Sequence, residues 1–213
     1  MTPTIEADIN LAGRLGEQLE HLVYNKSVEG KLIVIGKDDD LLLGYWSLVF
    51  DFGKGVGCLL HHEFYSAAFA LFRPLVEALV RAGVVLVGTP ENVQKLRKDE
   101  FVTNFKKDGA AIDKALGLGT LMEDFLNGNH ELLHSLTHSG TAQLGIRFDG
   151  QQVGASVSHH QIAALLGAAS NAAFLMTIMV AKHFDFRDVA ETANELFWEY
   201  GKRSLASVTA NQP

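Results

Sequence analysis

The chain has 213 residues, of which 47% are hydrophobic, 20% are charged and only 4 are proline. This composition excludes disordered, collagen-like and low-complexity proteins, and the length favours a single domain over residues 1–213. The net charge is -7 and no segment concentrates lysine and arginine, which disfavours duplex nucleic acid as a partner but leaves room for a local RNA site. The single cysteine, Cys58, excludes an intramolecular disulfide and a cysteine-built metal cluster.

Two segments bear on the compartment. Residues 1–10 carry Glu6 and Asp8 where an export signal would have basic residues before an apolar run, so we expect a cytoplasmic protein. Residues 162–181 contain no charged side chain and approach the length that spans a bilayer. Their many alanines and glycines, together with Asn171, favour a buried central helix, and we expect no membrane partner.

Apolar residues at spacings of three and four predict helices through the first half of the chain. The first spans Glu6–Asn25, and an extended connector follows over residues 27–36. The second begins at Asp38-Asp39-Asp40, because carboxylates accept the exposed amide protons of a first turn, and continues to Leu60. The third spans Glu63–Val87, with a bend expected at Pro74.

Capping residues delimit the helices of the second half. A helix over Glu91–Leu116 begins after Thr89 and Pro90 and ends at Gly117 and Gly119, and another spans Thr120–His138. Ser158 caps a helix over His159–Lys182. Asp185 caps the last helix, whose tail frays after about Ser204. Residues 143–157 alternate around Asp149-Gly150, a dipeptide typical of a tight turn, which predicts a small hairpin or loop. The sequence therefore predicts an all-α bundle of six or seven helices.

Three histidines form the first candidate site. His130, His134 and His138 follow one another at intervals of four, which places successive pairs on one face of a helix. Two imidazoles at this spacing are a known zinc arrangement, although a complete site needs further ligands. The alternative is that the histidines are hydrogen-bonded or solvated, and we expect no cofactor and no bound metal.

The second candidate site is a charged row on an apolar helix. Arg73, Glu77 and Arg81 are spaced by fours and therefore share one face. Charged side chains are seldom buried unless they are paired. The row indicates either an internal ion-pair network or a polar functional pocket, and the two interpretations are equally supported.

The third candidate is His138 at the end of its predicted helix, followed by Gly140. A helix C-terminus stabilises the imidazolium form and so favours acid–base chemistry, although capping explains the position equally well. If the chain has an active site, we expect Arg73 to bind an oxyanion or phosphate, with Glu77 beside it, and His138 to act as the acid–base group. Cys58 is more simply a packed small side chain than a nucleophile.

A resemblance adds to this interpretation. The stretches Phe69–Ala78 and Leu133–Gly140 resemble bacterial all-α proteins of the HEPN superfamily. The resemblance implies a bundle that often dimerises and, in active members, a metal-independent ribonuclease of toxin–antitoxin or antiviral defence systems. A homo-oligomer, RNA and a neutralising or regulatory protein are the partners that it implies.

The chain also departs from that superfamily. Active members carry an arginine followed after four to six residues by a histidine, and no arginine has that place before His138. Arg14 and His21 have the spacing, but one such pair is expected about once by chance in this composition. The alternatives are a non-enzymatic helical protein that binds a ligand or self-associates, and a histidine-ligated metal protein.

Overall fold

The computed structural model describes residues 3–28, 36–130, 133 and 157–209, and within these ranges it is all-α with no strand. The helices are α1 Pro3–Val28, α2 Asp39–His61, α3 Tyr65–Ala70, α4 Phe72–Val87, α5 Pro90–Arg97, α6 Phe105–Leu116, α7 Leu121–Gly128, α8 His159–His183 and α9 Arg187–Thr209. The predicted all-α class is confirmed. The predicted connector and the predicted hairpin fall largely on residues 29–35 and 134–156, which lie outside the described residues.

Helix α8 is the centre of the bundle and contacts α1, α2, α4 and α9. By length and composition it could cross a membrane, yet 78% of its most apolar 18-residue window is buried inside the molecule. The alanines at 168, 169, 172 and 173 of α8 are buried, and their small side chains let neighbouring helices approach closely. This is the buried central helix that the sequence predicted.

Side-chain contacts at both ends of α8 fix the directions of its neighbours. His159 Nε2 lies 2.7 Å from Asp8 at the start of α1, and His183 Nε2 lies 2.9 Å from the buried Asp39 at the start of α2. Helix α8 therefore runs parallel to α1 and antiparallel to α2. The side faces of these three helices enclose the groove described below.

The start of α2 corrects the expected role of the aspartate triplet. Asp38 occupies the N-cap position but makes no capping hydrogen bond. Its carboxylate and that of Asp40 instead accept hydrogen bonds from Arg97, at 2.9 and 2.7 Å. Asp39 accepts from the Gly36 amide at 2.7 Å. Asp38 and Asp40 therefore tie α2 to α5 through guanidinium–carboxylate pairs, which are stronger than neutral hydrogen bonds.

The predicted helix over Glu63–Val87 is divided at Leu71, between α3 and α4. Pro74 has no amide proton for the carbonyl of Ala70, and its ring crowds that carbonyl. The bend expected at Pro74 is therefore a break between α3 and α4 at Leu71, three residues before the proline.

The predicted single helix over Glu91–Leu116 is wrong, because α5 ends at Arg97 and α6 begins at Phe105. Arg81 of α4 donates to the connector between them, at Asp99 Oδ1 (3.2 Å), the Phe101 carbonyl (3.4 Å) and Thr103 Oγ1 (3.4 Å). In this connector, hydrogen bonds from Arg81 take the place of backbone hydrogen bonds within a helix. The expected Thr89 cap and the Gly117 terminus, with φ 61°, are both confirmed.

Two predicted boundaries near the end of the chain also change. Helix α7 ends at Gly128 and does not continue without interruption to His138. Within residues 129–138 the structure describes only residues 129, 130 and 133. Asp185 does not cap the last helix. It adopts φ 52° directly after α8, where the Phe186 amide bonds to the Ala181 carbonyl at 2.8 Å, so it terminates one helix instead of opening the next.

Candidate functional site

A groove of about 740 Å³, called the central groove, lies between α1, α2 and α8. Its walls are the facing sides of α1 and α2, and its floor is α8. The lining residues of α2 extend from Val49 to His61, which corresponds to about 18 Å of helix. The apolar side chains of the lining are those of Ala7, Ile9, Ala12, Val49, Phe50, Leu166, Ala169 and Ala173.

Glycine is responsible for the width of the central groove. Gly13 and Gly16 of α1 and Gly53 and Gly57 of α2 all line it. A Cβ atom at any of the four positions would meet nothing within 4 Å. The fold itself therefore does not require glycine there, whereas an added Cβ at Gly83 of α4 would overlap the Ile112 side chain.

Polar side chains lie along the edge of the central groove. Lys54 pairs with Glu20 at 2.7 Å across the α1–α2 contact. Cys58 is exposed and, with His61 one turn later, lines the α2 wall. Arg14 lines the α1 side. The groove thus combines an apolar interior with a polar edge, the usual composition of a small-molecule site.

A smaller cavity of about 270 Å³ lies between α1 and α9 and is called the side cavity. Its lining residues are Leu11, Arg14, Leu15, Gln18, Leu196, Glu199, Tyr200 and Arg203. Arg14 also lines the central groove, so one side chain borders both spaces.

Tyr200 forms part of the wall between the two cavities. Its hydroxyl is hydrogen-bonded to Ser170, a buried residue of α8 that lines the central groove. Burial raises the pKa of the Tyr200 phenol, and the nearby Asp8 carboxylate raises it further, against the opposing effect of Ser170. Tyr200 therefore remains a neutral phenol at physiological pH.

Two members of the charged row predicted from the sequence, Arg73 and Glu77, form an ion pair. Arg73 Nε donates to Glu77 Oε1 at 2.8 Å, with 33% and 29% of the two side chains exposed. Arg73 also points towards the Leu133 carbonyl at 3.5 Å and lies 5.7 Å above the Phe105 ring. Arg81 is separate from this pair, because it binds the α5–α6 connector.

The predicted histidine site falls mostly outside the described residues. His130 is exposed just beyond α7, and His134 and His138 lie outside the described ranges. Among the residues that the structure describes, no group of three or more histidine, cysteine, aspartate or glutamate side chains could hold a metal ion. The acid–base role expected for His138 stays a prediction.

Sequence reasoning did not identify the central groove, although the alternating glycines of α2 are visible in the sequence. The structure separates the roles of the three alternating glycines of α2. Gly55 faces Leu71, whose Cδ1 would lie 2.9 Å from an added Cβ, while Gly53 and Gly57 line the groove. Arg14 and Ser170 were not identified as site residues, because their importance depends on contacts between distant helices.

Comparison with known proteins places the chain in a family. The model of DUF6988, a family of unknown function, matches residues 46–200. This range begins within α2, contains all of α8 and excludes α1. No curated protein and no solved structure matches the chain.

Proposed function

The chain therefore belongs to the DUF6988 family, and we propose that it is a non-enzymatic ligand-binding protein. Its ligand is a small, largely apolar molecule held in the central groove between α1, α2 and α8. The observation that carries the proposal is the open space at four glycines on the facing sides of two helices.

The size and lining of the central groove fit this function. Small-molecule sites usually occupy about 300–1,000 Å³ and combine apolar walls with a few polar groups. The volume of about 740 Å³ falls within this range. Phe50 and Leu166 supply apolar surface, and the Ser170 hydroxyl is a polar group on the floor.

The glycines add a second line of support. Glycine in a helix interior is less favourable than alanine by about 0.8–1.0 kcal/mol. At Gly53 and Gly57 no neighbouring side chain in the described structure compensates this cost by needing the space. A ligand that approaches the α2 backbone closely would use that space, as glycine does wherever a ligand meets the main chain.

The proposal is tested by filling the central groove. Gly53→Leu and Gly57→Leu place side chains in it, and the open surroundings of both positions predict that the variants fold. Binding is measured with Nile red, a neutral apolar dye that fluoresces in apolar surroundings, and with decanol as a competitor. We expect saturable binding of one dye per chain in the wild type and its loss in both variants.

Gly44→Leu is the matched control, since Gly44 lies on the same helix, also has nothing within 4 Å, and does not line the groove. It should bind Nile red as the wild type does. Thermal unfolding checks that all three variants fold. Unsaturable dye binding by the wild type, or undiminished binding in folded Gly53→Leu and Gly57→Leu, would overturn the proposal.

A further inference from the structure

The arginines of the described ranges fall into two groups. Four of them hold a carboxylate, and the distances between nitrogen and oxygen are 2.7–3.3 Å. They are Arg73, Arg81, Arg97 and Arg187. Within the same ranges, Arg14 and Arg203 hold none, and both line the side cavity between α1 and α9.

We infer that the ligand carries an anionic group and that Arg14 and Arg203 bind it in the side cavity. This inference rests on the proposed function, because it assigns the charged end of the molecule whose apolar part lies in the central groove. Arg14 borders both spaces and so marks where one molecule would pass between them.

The chemistry of the side cavity supports an anion. Guanidinium groups bind carboxylate and phosphate through two parallel hydrogen bonds. Gln18 and the neutral Tyr200 phenol add uncharged donors to the lining. Arg14 and Arg203 thus provide local positive charge in a protein whose net charge is -7.

Glu199 is the acidic residue of the same lining. Its carboxylate pairs with Lys202 at 3.0 Å, and that pairing lowers the pKa of Glu199, with a smaller contribution from Arg203. The negative charge of Glu199 is thus largely matched by Lys202, which leaves the charges of Arg14 and Arg203 for a ligand.

The ligand class that fits both cavities is an amphipathic anion, such as an alkyl carboxylate or an alkyl phosphate. Decanoate, decyl phosphate and uncharged decanol test this class by displacing Nile red at concentrations below micelle formation. We expect the wild type to bind at least one of the two anions about tenfold more tightly than decanol, because charge-assisted hydrogen bonds exceed neutral ones. The better anion identifies the head group as carboxylate or phosphate.

Arg14→Gln and Arg203→Gln should each reduce the ratio of anion affinity to decanol affinity. The double variant should bring this ratio close to one and leave the affinity for decanol unchanged. Arg187→Gln is the control, because Arg187 is an exposed arginine of α9 that pairs with Asp185 and lines neither cavity. It should keep the full preference.

The outcomes separate this inference from the proposed function. Wild-type binding of decanol with no preference for either anion would overturn the anion site and leave the groove proposal standing. A preference reduced equally by Arg187→Gln would also overturn the site, since general surface charge would then explain it. Failure of decanol and both anions to bind would overturn both proposals.

Discussion

Asp113 shows at the scale of a single residue how one buried carboxylate organises a helix start. It is 3% exposed, and its two oxygens accept the Met122 and Glu123 amides at 3.0 and 2.8 Å. Asp113 of α6 therefore caps the first turn of α7, a role that Thr120 at the N-cap position does not fill with its own side chain.

We predict that Asp113→Ala lowers the free energy of unfolding by about 2 kcal/mol, because it leaves two amides without acceptors and one of them is buried. Asp113→Asn should cost less, since its single carbonyl oxygen retains one of the two bonds. Urea denaturation measures both, with the exposed Asp51→Ala as the control. A loss for Asp113→Ala no larger than that of the control would contradict the capping role.

The Arg73–Glu77 pair leads to a smaller expected effect than burial would give. A buried pair would make removal of one partner cost about 3–5 kcal/mol, but about a third of each side chain is exposed. We predict that Glu77→Gln costs less than about 1 kcal/mol. Arg73→Ala should cost more than this, because Arg73 also contacts the Phe105 ring.

Denaturation midpoints of the two variants check this expectation. A loss of about 3 kcal/mol or more for Glu77→Gln, the size expected for a broken buried pair, would mean that the pair is shielded from water.

Helix termini show at the scale of elements how acidic residues replace glycine in this fold. Glu63, Asp99 and Asp185 all have positive φ directly after helices α2, α5 and α8. After α2, the Phe64 amide bonds to the Leu59 carbonyl at 2.8 Å, a pattern in which glycine is usual at the position of Glu63.

We predict that Glu63→Gly stabilises the protein by about 1 kcal/mol. Glycine has no Cβ atom, so it avoids the steric clash of Cβ with the backbone in a left-handed conformation. Gly117→Ala is the matched opposite. Gly117 ends α6 with φ 61°, so alanine there should destabilise by a similar amount, about 1 kcal/mol. Thermal unfolding measures both changes, and a lower midpoint for Glu63→Gly would contradict the argument.

The ribonuclease expectation is tested at the scale of the whole molecule. The ligand-binding proposal predicts that purified protein leaves total RNA intact, with or without a chelator. Cleavage that resists chelator and disappears in His138→Ala would instead favour a HEPN-type, metal-independent ribonuclease. Cleavage lost on chelation, together with zinc lost in His134→Ala, would favour the histidine-ligated metal protein.

Self-association also belongs to this scale and stays a prediction. The resemblance to the HEPN superfamily implied a homo-oligomer, and in the structure most of α8 and the apolar face of α4 are buried within the chain. The contact would now have to use side chains such as Trp198, which is 71% exposed. We expect a dimer by light scattering at micromolar concentration, weakened in Trp198→Ser, and a wild-type monomer would contradict it.

Local signals in the sequence were sufficient for most of the helical architecture. The apolar spacing of α1, the Thr89 cap with Pro90, and the Ser158–Gln161 capping box each depend on residues within one or two turns. The uncharged segment was placed correctly in the centre because its composition alone distinguishes it. Such features are predictable because the interacting residues are neighbours in the chain.

Tertiary structure alone decided the connector after α5, the partners of the aspartate triplet and the candidate site. Arg81 reaches a segment about twenty residues away, and Arg97 binds aspartates nearly sixty residues before it. The central groove needs α1, α2 and α8 together. The glycines of α2 and the alanines of α8 that line it are more than a hundred residues apart in the chain. Periodicity reports which face of a helix is apolar, but not which other helix meets that face, because this depends on packing over the whole chain.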